Sequence, residues 1–169
     1  MEEVFCENRV LLKCAILPVS MAYPLDAIKV QLNDMLLKYN EDLQGIPITF
    51  SAIEYDSGKE CGRIMDEQPW IHVDIITTVL LFKPSAGKTI YGKICQTSDS
   101  HVALLVYGIF NASIASEELG SKYVFNQATQ TWESAEGDLI VGELMQCRIL
   151  NFHFANGVLS INATKRRAK

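Results

Sequence analysis

Thr78-Val79-Leu80-Leu81-Phe82-Lys83-Pro84, followed two residues later by Gly87-Lys88-Thr89-Ile90-Tyr91-Gly92, is the stretch on which the reading of this chain turns. An apolar extended run stops at a proline, which has no amide proton to offer a sheet ladder. Pro84, Ser85 and Gly87 then punctuate the chain, and the hydrophobic periodicity differs on either side of them.

Upstream, residues 70–82 read as a long strand in which Ile71, Val73 and Ile75 alternate with His72 and Asp74. That alternation predicts a sheet with one wet face. Residues 56–69 read as a polar loop holding Gly58 and Gly62, and 47–55 as a strand with Ile48, Phe50, Ala52 and Ile53 among polar residues. Before them, Leu25, Ile28, Leu32, Met35, Leu36, Tyr39 and Leu43 recur mostly at spacings of three and four, while Asp34, Lys38 and Glu41 fall off the stripe. This spacing predicts an amphipathic helix, with Pro24 in its first turn and Gly45 as its C-terminal cap. Residues 9–17 form a further strand candidate ending at Pro18. The order is strand, helix, strand, loop, strand.

Downstream, residues 89–95, 102–107, 110–114, 139–150 and 157–163 are strand candidates, with Gly92, Gly108, Gly137 and Gly157 marking bends or turns. Five short strands in about 80 residues match the Greek-key barrel of an OB-fold. The polar stretch 115–136 falls between the third and fourth strands, where that barrel tolerates an insertion. No repeat or low-complexity tract interrupts the pattern. The class is α+β, with a mixed domain at 1–83, a barrel at 84–163 and a basic tail at 164–169.

The 169 residues are 49% hydrophobic, enough for packed cores, though two domains of this size would have thin ones. The net charge of −5 is uneven: residues 1–83 hold 13 acidic and 7 basic side chains, and residues 84–169 hold 7 and 8. Four of those eight basic residues are Lys165, Arg166, Arg167 and Lys169. A protein that lives by neutralising phosphates would show a basic face, so any nucleic-acid role is secondary. The tail matches a localisation or nucleic-acid patch, but a solvated basic end is the commoner meaning of such a run and the favoured reading. Cys6, Cys14, Cys61, Cys95 and Cys147 form no CxxC pair, which fits free buried thiols in a reducing compartment. The N-terminus is acidic, and no apolar run reaches membrane-spanning length. The expectation is a soluble intracellular protein.

Ala86-Gly87-Lys88-Thr89 invites a phosphate-binding loop, but the required upstream glycine position is Phe82 and the segment leads into a strand, not a helix. The sequons at Asn111 and Asn162 lack a secretory context. His72, His101 and His153 stand singly, without metal-ligand or nucleophile-pair spacing. The carboxylates Glu54, Asp56, Glu60, Asp66 and Glu67 lie in a polar segment, which argues for solvation over an acid/base dyad. No cofactor is implied. OB-folds hold single strands with aromatic platforms and a positive groove. The candidates here are Tyr91, His101, Tyr107 and Phe110, with Lys93 and Arg148; Tyr91 and Lys93 share strand parity. The set is thin, and Ala103, Leu104, Leu105 and Val106 fill a strand where rings would be expected. Rings capping the barrel explain it as well as RNA contact does.

The junction quoted first resembles that of the RNA polymerase stalk family, in which an extended strand ends in Phe-Lys/Arg-Pro and passes through glycine into an OB-fold; here those are Phe82, Lys83, Pro84, Gly87 and Gly92. Ser98-Asp99-Ser100-His101 and Gly108-Ile109-Phe110-Asn111-Ala112-Ser113-Ile114 are similar to the polymerase I branch in particular. Leu36-Leu37-Lys38-Tyr39 and Leu43-Gln44-Gly45-Ile46-Pro47 resemble that branch's first helix and its exit. The resemblance implies an N-terminal tip domain of truncated RNP-like form and a C-terminal S1-like OB barrel. It also implies a non-catalytic stalk subunit that pairs with a small stalk partner and docks on RNA polymerase I core subunits through a tip loop matching Gly62, Arg63 and Ile64. The polymerase I initiation factor and, weakly, nascent RNA are further implied partners, with no membrane and a nuclear, nucleolar location. Polymerase II or III membership, an independent OB-fold RNA-binding protein of exosome-cap or translation-factor type, and a hydrolase using the 54–67 carboxylates are the alternatives.

Overall fold

The computed structural model describes residues 4–56, 62–65, 67–135, 137–155 and 158–165. It divides into two compact units, Phe5–Lys83 and one made of Val4 together with the described residues from Pro84 onward. Among the described residues no helix is long and apolar enough to cross a membrane.

The first unit contains β1 (Phe5–Ile16), a 3-10 turn at Pro18–Ala22, α1 (Pro24–Met35), β2 (Ile46–Tyr55), β3 (Arg63–Ile64) and β4 (Ile71–Phe82). β4 is central and every pairing is antiparallel: β1 runs along one side, while β2 and then β3 share the other. α1 lays Ile28 and Leu32 onto Cys14, Ile16, Val73 and Ile75, which buries one sheet face. Pro24 opens the helix and Asp26 sits in its first turn, both suited to that end.

The helix is shorter than the stripe predicts. Leu36 is extended and Leu37 has φ 61°, so the chain leaves the helix after Met35. The Leu37 amide donates to the Pro47 carbonyl at 2.9 Å, and Asn40 Oδ1 accepts from the Leu43 amide at 3.0 Å. These local bonds offer the backbone an alternative to another helical turn. Gly45 is therefore no helix cap. It is buried in a close approach, where a Cβ would stand 3.0 Å from Lys83 Cγ and 3.2 Å from the Phe82 carbonyl oxygen.

The wet face expected on β4 is also dry at its centre. Asp74, on that face, is only 4% exposed. Periodicity reports side-chain direction but not what lies over it, and here Arg63 reaches in from β3.

The second unit is a closed barrel of β5 (Thr89–Thr97), β6 (His101–Val106), β7 (Phe110–Ala115), β10 and β11, interrupted by α2 (Ser116–Leu119) and the hairpin of β8 (Val124–Asn126) and β9 (Thr131–Glu133). Here β10 is Leu144–Ala155 and β11 is Val158–Thr164. Going round, β5, β6, β7, β11 and β10 neighbour one another, and only the β7–β11 pair is parallel. Each strand turns three residues inward: Ile90, Gly92 and Ile94; Val102, Leu104 and Val106; Phe110, Ala112 and Ile114; Met145, Cys147 and Ile149; Leu159, Ile161 and Ala163. Burying each large aliphatic among them contributes about 1.5–3 kcal/mol.

The fourth barrel strand begins later than 139, because residues 139–143 belong to the insertion and turn at Gly142, φ 101°. The insertion is folded where a polar loop was expected. Trp132 packs against Phe125 with ring centroids 5.3 Å apart and planes tilted by 56°, and its Nε1 donates to the Ser98 carbonyl at 2.8 Å. At its other end the Lys165 ammonium lies 4.5 Å from the Tyr123 ring centroid, and the Lys165 amide donates to the Glu118 carbonyl. Of the thiols, Cys14 and Cys147 are buried as expected, Cys6 is half-buried and Cys95 is exposed; Cys61 lies outside the described residues. So do Gly58, Glu60, Asp66, Gly157 and the basic residues after Lys165.

Candidate functional site

Strict alternation along β5 and β10 turns Thr89, Tyr91 and Lys93 to the barrel's outside, next to Arg148, Gln146 and Leu144 of the neighbouring strand. Tyr91 is opposite Gln146, and Lys93 lies between Leu144 and Leu105. Tyr107 follows β6 in a tight turn. Both Tyr107 and Gly108 have positive φ, 51° and 74°, and the Ile109 amide donates to the Val106 carbonyl at 3.0 Å. This is the geometry of a primed turn, which suits the right-handed twist of the flanking strands. A tyrosine pays in backbone strain for that conformation. Here the turn keeps Tyr107 beside Tyr91, whose carbonyl accepts from the Tyr107 amide at 3.4 Å. Burial, and then the nearness of Tyr91 and Cys147, push the Tyr107 phenol above its ordinary pKa. The rings remain 46% and 38% exposed, so both offer a face to a ligand.

Tyr91, Lys93, Tyr107 and Arg148 thus share the outer side of adjacent strands, with Arg148 only half-exposed between Thr89 and Thr164. Two other candidates do not join them. His101 shares the outer side but begins β6, about 17 Å along the strand from its far end at five residues' rise. Its Nδ1 lies 3.1 Å from Ser98 Oγ and 2.9 Å from Ser100 Oγ, which ties the ring into the β5–β6 turn. Phe110 faces the barrel interior at 5% exposure and is a core residue, so it cannot stack on a base. Its alternation with Ala112 and Ile114 is the sequence signal for that placement. Over β7 and β11 the outer side is polar and ringless: Ser113 Oγ donates to Asn162 Oδ1 at 3.3 Å, and Asn162 Nδ2 donates to Asn151 Oδ1 at 2.7 Å.

In the first unit, Gly62 enters β3 against Ile71, whose Cγ2 would collide with any Cβ placed there. Arg63 Nη2 bonds Asp74 Oδ2 at 2.7 Å, so its charge is committed inside the unit. Ile64, opposite Ile71, is 69% exposed. Of the carboxylates at 54–67, Glu54 forms a solvent-exposed pair with Arg9 at 3.3 Å, and Glu67 is exposed. The spacing of those acids says nothing of Leu17, Met65 and Trp70, large apolar side chains that stand exposed at the same end of the sheet. Among the described residues no three His, Cys, Asp or Glu side chains are grouped to hold a metal ion.

A five-strand barrel closed in this order, with a folded insertion between its third and fourth strands, defines an OB-fold domain. Residues 84–139 match the family model described as the RPA43 OB domain in RNA polymerase I. The chain is 38% identical over 104 residues to RNA polymerase I subunit RPA43 of Mus musculus, covering 62% of this chain and 31% of that protein. To the Homo sapiens subunit it is 36% identical over 119 residues, 70% of this chain and 33% of the other. To the Schizosaccharomyces pombe subunit it is 29% identical over 122 residues, 69% of each. The chain is a relative of the RNA polymerase I subunit RPA43, and it spans about a third of the mammalian relatives' length.

Proposed function

We propose that this chain is a non-catalytic stalk subunit of RNA polymerase I that acts in ribosomal RNA transcription in the nucleolus. On this reading the first unit is the tip domain and docks on the polymerase core at Gly62, Arg63 and Ile64. The chain pairs with a small stalk subunit, and the barrel serves as a platform for the polymerase I initiation factor. The observation that carries the proposal is the RPA43-type OB match beginning at Pro84, at the start of the barrel unit. Two units this small bury a smaller share of their surface than a larger domain would, and the stability that docking onto a larger assembly would add supports it. Affinity purification of the tagged chain tests it. Recovery of the largest polymerase I subunit is expected, and recovery of polymerase II or III subunits, or of none, refutes it.

The exposed Tyr91–Tyr107 pair favours a second, subordinate role. Two rings beside Lys93 and Arg148 can stack a base or two of emerging RNA. With so few cations on that side, RNA contact is weak and assembly leads.

A further inference from the structure

The two long outer strands of the first unit's sheet are built differently. β2 shifts register between Pro47 and Thr49 and again between Ser51 and Glu54, and Ala52 sits at φ 50°, so its outer edge is kinked. Bulges of this kind keep an edge from pairing with another chain. β1 has none: its 12 residues hold one register with β4 from Phe5 to Ile16.

The bonding parity of β4 shows which main-chain groups of β1 are left over. The Asp74 carbonyl accepts from the Asp56 amide and the Thr78 carbonyl from Ser51 Oγ, so both turn toward β2. Their register partners Lys13 and Arg9 therefore face away from β4, as do Glu7 and Leu11 by alternation. The Ala15 carbonyl has the same parity and accepts from Gln31 Nε2 of α1, which closes the edge at that end. Among the described residues no hydrogen bond reaches the outward amides and carbonyls of Glu7, Arg9, Leu11 and Lys13. Their side chains are exposed, Leu11 at 53%.

Charge decides what pairs there. Charged side chains on an open edge ordinarily keep other strands away, and a run of one sign would repel a second copy of the same chain. Here the signs are mixed and self-complementary. A second copy laid antiparallel about a two-fold axis at Val10, the midpoint of the open stretch, sets Glu7 opposite Lys13 of the other copy, twice. It sets Arg9 opposite Leu11 and Val10 opposite its own counterpart, while Arg9 keeps Glu54 as its ion-pair partner at 3.3 Å. The outward residues of both copies meet as hydrogen-bonded pairs, so their amides and carbonyls are satisfied together. Moving the axis by one residue either way keeps that parity but opposes Arg9 to itself or to Lys13, and like charges directly opposite are destabilising.

We infer that the outer edge of β1 is a self-association surface, through which two copies of this chain pair over residues 7–13 and join their first units into one continuous antiparallel sheet. The inference goes beyond the polymerase reading and does not depend on it. Pairing covers main-chain groups of the free chain that would otherwise template aggregation.

The test is sedimentation of the purified full chain over a wide concentration range. The parent is expected to pass from monomer to dimer. Glu7→Lys and Lys13→Glu each turn both ion pairs into repulsions and should weaken the dimer about tenfold or more. The double variant restores opposite signs and should return to within about threefold of the parent. Leu11→Pro removes one outward amide and should abolish pairing; the charge reversals, at exposed sites, keep the test decisive should that variant misfold. A parent that stays monomeric overturns the inference. So does a dimer that both reversals leave unchanged, or one that the double variant fails to restore, since another surface or a general charge effect is then responsible.

Discussion

Gly92 sets how tightly the barrel can close. It points inward from β5, opposite Val106 of β6, and a Cβ there would stand 3.1 Å from Leu104 Cβ and 3.3 Å from Val106 Cγ2. Carbon pairs prefer about 3.5–4.0 Å. Leu104 Cβ is fixed to a backbone held in register on both sides, by Ile94 and by Ala112, so it cannot rotate away. Gly92→Ala must therefore part β5 from β6 by a few tenths of an ångström. Overpacking of this kind costs about 1–3 kcal/mol, and the smaller entropy of the unfolded alanine chain returns about 0.4–1. A net loss of about 1–2 kcal/mol follows, or about 5–15 °C in the melting midpoint of a unit this size. The chain has two tryptophans, Trp70 in the first unit and Trp132 in the second. In a Trp70→Phe background, urea unfolding followed by Trp132 emission reads the barrel unit. Gly92→Val should lose more than Gly92→Ala at an unchanged denaturant slope. A Gly92→Ala protein as stable as its parent would refute this account of the barrel's closure.

Arg63→Ala leaves the carboxylate of Asp74 buried without its 2.7 Å partner. Discounted for the half-exposed guanidinium, the first unit should lose about 1–2 kcal/mol, seen as faster amide exchange in β3 and earlier unfolding by Trp70 emission. Adding Asp74→Asn should restore part of the loss, and an Arg63→Ala protein indistinguishable from the parent would mean the pair is a spectator. Burial pushes the Cys147 thiol up to about 12 from 9.0. The unfolded chain then releases that proton first, so stability is complete below about pH 9 and declines as pH climbs toward 12. By pH 10 the loss is on the order of 1 kcal/mol, and Cys147→Ala should lack this part of the slope in denaturation at stepped pH. A single-stranded RNA bound over Tyr91 and Tyr107 should weaken with salt at a log-log slope of about 1.4, two cations at about 0.7 each. A filter-binding slope above about 3 would reveal a cationic surface elsewhere.

The barrel was legible because a closed sheet with a filled interior demands alternation, and β5, β6, β7 and β11 supply it residue by residue. The break at Pro84 was legible for the complementary reason, since an apolar run and a proline cannot share a ladder. What stayed hidden depended on register and on distant partners. Nothing near Asp74 in the chain announces the guanidinium that covers it. Leu36, Tyr39 and Leu43 continue a helical stripe whose backbone has already turned to bond Pro47. Tyr91 and His101 both face outward, yet only strand pairing shows that one lies beside Tyr107 and the other at the far end of β6. The insertion's order comes from Trp132 reaching back to Ser98, a contact that polar composition conceals.

The ring of strands is completed only when β11 slots between β7 and β10, and its partner Asn111 is separated from Ser160 by most of the unit. During synthesis the first unit holds all its strands by Phe82 and can assemble while the rest is still being made. The barrel has to wait, with two raw edges showing, until its final strand leaves the ribosome. A message cut short before Val158 would therefore yield a chain with a finished head and a sticky, half-made body, suited to capture by chaperones more than to assembly.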